Sequence, residues 1–124
     1  MTRRRSIVAA VCMLCLLWPA LGWAHARLIK SVPGRQATLA SAPSRVQLWF
    51  NERLEGHFCN LSVWDQDGKQ VDLGDVEVTS ANPKQLSVGV PSLGPGTYRV
   101  KFRVLSVDGH IVESEFPFTI RGRR

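Results

Sequence analysis

The chain is poor in sulfur and has no second long apolar run. Of its three cysteines and two methionines, Cys12, Cys15, Met1 and Met13 all fall in the first 24 residues. That segment has the layout of an export signal. Arg3, Arg4 and Arg5 form a basic start, Ile7 to Trp18 an unbroken apolar run, and Pro19 to Ala24 a short stretch ending in small residues. The apolar run is shorter than the roughly 20 residues that a membrane-spanning helix needs, and nothing comparable follows it. Its removal leaves residues 25–124 with Cys59 as the one cysteine, which excludes an internal disulfide. It also leaves no methionine, and so no thioether ligand. The expectation is an exported chain: residues 1–24 are signal and residues 25–124 a single domain, long enough to bury one core unaided.

Strong charge is also missing once the signal is set aside. Arg3, Arg4 and Arg5 leave with it, so the net charge falls from +6 to +3, with 13 Lys plus Arg against 10 Asp plus Glu. That excess is too mild to make nucleic acid the expected partner. No apolar stripe of helical period runs through the chain, and there is no phosphate loop, Ser-His-Asp order or paired-carboxylate site. Hydrolytic catalysis therefore has no positive support.

What the chain does have is alternation. Val46, Leu48 and Phe50 alternate with Gln47 and Trp49, and Leu61 and Val63 with Ser62 and Trp64. Leu86, Val88 and Val90 alternate with Ser87 and Gly89. Tyr98 to Val104 is apolar on one face and cationic on the other, as a half-buried strand requires. Phe116, Phe118 and Ile120 close the series, and Pro117 between them suggests an edge strand. Turn formers separate these runs at Pro33-Gly34, Ala42-Pro43-Ser44, Asp67-Gly68, Asn82-Pro83, Gly94-Pro95-Gly96 and Asp108-Gly109. The pattern predicts an all-β domain, an immunoglobulin-like Greek-key sandwich or barrel of about seven strands.

The chemistry concentrates in Ser106-Val107-Asp108-Gly109-His110. Asp-Gly is a common hairpin turn, and a polar histidine beside a turn needs no function. The triplet nevertheless offers one oxygen and one nitrogen donor from adjacent points of a turn, in keeping with the tetragonal N and O ligation that Cu(II) favours. His25 supplies more, provided that cleavage follows Ala24. It would then be the first residue, and its α-amine and imidazole would chelate one ion together. Cleavage after Ala26 fits the small-residue rule equally well and would leave Arg27 first. Other candidates read as structural. His57, Cys59 and Leu61 share a face if the strand alternation extends to them, and a lone cysteine there is ordinarily a small core residue. Glu52 and Glu55 read as solvated. Asp65 and Asp67 read as hairpin polar residues, because Gly68 comes too early for a calcium loop.

His25-Ala26-Arg27-Leu28 with Ser31-Val32-Pro33, Leu48-Trp49-Phe50-Asn51-Glu52, Pro95-Gly96-Thr97-Tyr98-Arg99-Val100, the 106–110 stretch and Phe116-Pro117-Phe118 together resemble the CopC (PcoC) family of periplasmic copper-binding proteins. The resemblance covers residues 25–124. It implies a Greek-key β-barrel, no catalysis, one Cu(II) per chain held by His25, Asp108 and His110, and cleavage after Ala24. It implies a carboxylate near the site at Glu52, as a possible outer-shell group. The chain is accordingly read as a carrier that either sequesters copper or passes it to a CopD-type inner-membrane importer. The methionine-rich loop that gives some members a Cu(I) site is missing, and His57 and Cys59 lie outside the family pattern. Two other readings are carried with this one: a histidine-brace copper enzyme resembling polysaccharide monooxygenases, and a metal-free exported interaction module, favoured if the chain starts at Arg27.

Overall fold

The computed structural model describes residues 26–122. Eight strands run in the order β1 (Leu28–Val32), β2 (Thr38–Leu39), β3 (Arg45–Phe50), β4 (Asn60–Trp64), β5 (Glu77–Thr79), β6 (Asn82–Gly89), β7 (Gly96–Leu105) and β8 (Ile111–Ile120). They form two four-stranded sheets, β1-β3-β6-β5 and β2-β8-β7-β4. All pairs are antiparallel except β2 with β8, which is parallel. The sandwich expected from alternation is present.

Alternation decides which side chains meet between the sheets. Val46, Leu48 and Phe50 of β3 and Leu86 and Val88 of β6 face Leu61 and Val63 of β4, Val100 and Val104 of β7 and Phe118 of β8, all fully buried. Phe50 meets Phe102 edge to face, ring centres 5.6 Å apart, and so joins the two sheets. Tyr98 stacks on Phe118 at 5.5 Å, and its hydroxyl donates 2.8 Å to the carbonyl of Gly94. That bond lets a tyrosine sit in the core with its polar tip satisfied. The outer face of β7 is cationic as expected. Arg99 pairs with Glu115 and Arg103 with Glu113, each at 3.2 Å, while Lys101 lies over Trp64 at 4.9 Å.

Three expectations are revised. Pro117 does not mark an edge, because β8 lies between β7 and the short β2. The carbonyl of Pro117 accepts from the amide of Gln36 at 2.7 Å, on the side away from β7. A residue's N–H and C=O point to the same side of a strand, so the missing donor does not interrupt the β7 ladder. Asn82-Pro83 is not the turn but the start of β6, the turn having moved to Ser80-Ala81. His57 sits in a 3-10 turn, Gly56–Phe58, and β4 begins only at Asn60, so His57 does not share a strand face with Cys59 and Leu61.

One polar cluster braces the far side of the first sheet. Asp75 accepts from the Gly89 amide at 2.7 Å and from Arg45 at 3.1 Å, and Arg45 also reaches Ser87. A Cβ on Gly89 would stand 3.1 Å from both Asp75 oxygens and 3.0 Å from Leu73 Cδ1, so a larger residue there would have to push the Leu73 and Asp75 side chains back by a few tenths of an ångström. The Gly89 amide, and after it Arg45, hold the Asp75 carboxyl below the usual carboxylate range. A depressed folded-state pKa stabilises the fold above the unfolded value, about 3.9, and that stabilisation is lost as pH falls through the folded value. Melting temperatures of the wild-type chain and Asp75→Asn should therefore differ at pH 7 and converge as pH falls from about 5 towards 2. A gap that stays constant over that range would show that ionisation of Asp75 contributes nothing.

Candidate metal centre

The longest hairpin of the fold delivers the 106–110 stretch. β7 and β8 pair over ten registered positions ending at Leu105↔Ile111, and residues 106–110 close the end. The amide of Ser106 donates to the carbonyl of His110 at 3.0 Å, and the amide of Gly109 to that of Ser106 at 2.9 Å. Gly109 has φ 90°, with open space around it. Backbone conformation, not crowding, makes glycine the suitable residue there.

Within this turn the carboxylate and the imidazole come together, as the spacing predicted. Asp108 Oδ2 lies 3.1 Å from His110 Nδ1. Asp108 Oδ1 accepts from the hydroxyl of Ser106 and, at 3.4 Å, from the amide of His110. Ser106 is 1% exposed, and its hydroxyl is also 3.2 Å from the His110 carbonyl. A hydroxyl has one proton to give, and the charged acceptor takes it more strongly. These bonds, Ser106 first and His110 second, hold the Asp108 carboxyl at a pKa of about 2. It is thus a full anion at any pH where nitrogen donors are deprotonated. Oδ1 already accepts from two donors, so Oδ2, which faces only His110 Nδ1, is the oxygen that keeps a lone pair for a cation.

Among the described residues no group of three or more His, Cys, Asp or Glu side chains gathers in one place. Asp108 and His110 are a pair, and tetragonal ligation needs about two more donors. His25, the residue expected to supply them, lies outside the described residues. The chain just after it is well fixed. Ala26 is 2% exposed within the core, and Arg27 is bonded to Asn51 twice: its amide donates 2.6 Å to Asn51 Oδ1, and its carbonyl accepts 3.1 Å from the Asn51 amide. Two residues on, the carbonyl of Arg53 accepts from the amide of Val107 at 3.0 Å, and Leu54 bridges Ser106. Residues 51 and 53 are at most about 7 Å apart along an extended chain. The start of the described chain and the Asp-Gly-His turn therefore lie at the same end of the sandwich.

The other candidates are not drawn into this pair. Glu52 is half-buried in the same connecting segment, whereas Glu55 and His57 are exposed. Cys59 is half-buried against the core, its thiol 3.3 Å from the Glu55 carbonyl and 3.8 Å from that of Leu105, and burial raises its pKa. Such a thiol is a poor nucleophile and a poor thiolate ligand. Asp65 Oδ1 accepts from the amides of Asp67 and Lys69, both at 2.9 Å, and so shapes the hairpin turn as expected. Sequence reasoning assigned nothing to Ser106 or Asn51. Ser106 continues the inward-facing register of β7, and a hydroxyl in an otherwise apolar row was the available signal.

Comparison with known proteins bears on the family of the chain. The family model for the CopC domain matches residues 28–121. A copper resistance protein C of Xanthomonas campestris pv. juglandis is 32% identical over 124 residues, covering 94% of this chain and 97% of its own length. A copper transport protein of Bacillus subtilis, CutJ, is 34% identical over 97% of this chain, which spans only 22% of that longer protein. Among solved structures, CopC from Methylosinus trichosporium OB3b superposes with a TM-score of 0.76 at 35% identity, over 81% of this chain and 97% of that one. With the family model matched across both sheets and 97% of a CopC structure matched in three dimensions, this chain belongs to the CopC family.

Proposed function

We propose that the protein is an exported copper carrier that binds one Cu(II) per chain and catalyses no reaction. The ligands are the α-amine and imidazole of His25, freed by cleavage after Ala24, together with the Asp108 carboxylate and the His110 imidazole. The observation that carries this reading is the Asp108–His110 pair, fixed on a turn to which the start of the chain is tied through residues 51–53. An anionic oxygen and imidazole nitrogens suit the oxidised ion, and residues 25–124 hold no methionine for Cu(I). Family membership and the copper resistance and transport names of the relatives support copper as the cargo. The working compartment is the periplasm, and the recipient of the metal is a CopD-type inner-membrane importer. Glu52 stands as an outer-shell carboxylate in the same segment as Asn51.

Intact mass of the exported protein, with and without one equivalent of Cu(II), tests this directly. The expected chain begins at His25, gains one copper and gives a tetragonal, nitrogen-rich electron paramagnetic resonance signal. A chain that begins at Arg27, or that yields its copper to a weak chelator, refutes the proposal.

Substitutions separate the parts. His110→Ala and Asp108→Ala should each lower Cu(II) affinity by well over tenfold, with little change in the copper-free melting temperature for His110→Ala and a modest fall for Asp108→Ala, which removes the partner of the buried Ser106 hydroxyl. One extra glycine placed before His25 should do the same, because it replaces the chelating amine with an amide.

Ser106→Ala should lower affinity by about tenfold, the usual scale for removing a hydrogen-bonding partner of a ligand. It should also cost about 1–3 kcal/mol of stability in denaturant unfolding, since it deletes a buried hydrogen-bonding group. Unchanged copper affinity in this variant would mean that Asp108 holds its orientation without the serine.

A further inference from the structure

We infer that Asn51 is the positioning residue for the N-terminal half of the site, acting through Arg27 and not by touching the metal. The inference rests on His25 being a ligand. β1 and β3 begin their pairing at Leu28↔Phe50, so Arg27 lies one residue beyond the last ladder position. Beyond Phe50 the chain turns away towards the second sheet. Asn51 replaces the missing strand: its side-chain Oδ1 accepts from the Arg27 amide at 2.6 Å, and its main-chain N–H donates to the Arg27 carbonyl at 3.1 Å. Arg27 is thus held at both its main-chain groups. With Ala26 buried in the core at 2% exposure, no free residue separates His25 from the anchored chain.

Two Cα steps of 3.8 Å, about 8 Å of chain, separate residue 25 from Arg27. An unanchored terminus would have to be ordered by the metal itself, and each ordered residue costs about 1–2 kcal/mol of backbone entropy. The Asn51 clamp meets that cost during folding. The same segment anchors the Asp-Gly-His turn, through the Arg53 carbonyl and the Val107 amide at 3.0 Å. Asn51 thereby sets where the amine and imidazole of residue 25 can go relative to Asp108 and His110.

The test compares the wild-type chain, Asn51→Ala and Asn51→Asp, all beginning at His25. Asn51→Asp keeps an oxygen acceptor of the same reach. Amide exchange at Arg27 is read in the copper-free proteins, and Cu(II) affinity and the electron paramagnetic resonance signal in loaded ones. Asn51→Ala should speed Arg27 exchange, lower Cu(II) affinity about tenfold and replace one copper signal with a mixture, at little cost in melting temperature. Asn51→Asp should restore the single signal and most of the affinity. If the alanine variant does not fold, Asn51→Ser, with a side chain too short for the contact, takes its place. Wild-type copper binding with an unchanged affinity and signal in Asn51→Ala overturns the positioning role alone. A wild-type chain that fails to bind Cu(II) overturns the copper reading, and this inference with it.

Discussion

Between Phe50 and Asn60 the chain leaves one sheet and enters the other, and hydrogen bonds made on the way tie the two halves of the sandwich at one end. Asn51 bonds Arg27 at the start of the first sheet, while Arg53 and Glu55 bond Val107 and Leu105 at the end of β7 in the second. A crossing segment has no neighbour of its own to complete a ladder, so its amides and carbonyls must find partners elsewhere. Here they find them in the two places where candidate ligands are carried. The end of the molecule proposed to hold the metal is a product of that requirement.

The turn itself is built in a different way. Its order is local: ten paired positions of β7 and β8 lead into it, and Ser106, Asp108, Gly109 and His110 bond one another within five residues. The Asp108–His110 pair can form as soon as the hairpin does. Bringing Arg27 to the same end depends on β1 reaching β3 and on the crossing segment reaching β7. These are contacts of long sequence separation, which are entropically dearer and form later.

The sequence revealed most where one physical rule acted alone. The apolar face of β7 and the alternation in β3 could each be read residue by residue, because period-2 patterning against a core leaves no competing interpretation. Asp108-Gly109-His110 could be read for a similar reason, a five-residue turn leaving little room for the two side chains to avoid each other. Short strands were not visible: two residues at Thr38–Leu39 and three at Glu77–Thr79 carry no period. Asn82-Pro83 misled because proline tolerates the first positions of a strand as well as a turn. His57 misled because alternation was extended backwards past the point where the strand begins. The family resemblance rested on several short motifs in order, and the matched residues 28–121 bear it out. His25, by contrast, depends on a cleavage position that small-residue rules leave open and that no contact among residues 26–122 fixes.

The crossing segment also bears on how freely this end of the molecule can change over generations. Arg53, Leu54 and Glu55 make their ties through carbonyl or amide groups, which every residue type except proline supplies alike. Exposed side chains at 53 and 55 can therefore drift in size and charge, altering the electric field around the turn, without loosening what holds the turn in place. A lineage could retune which surfaces this end of the protein meets while leaving its architecture untouched.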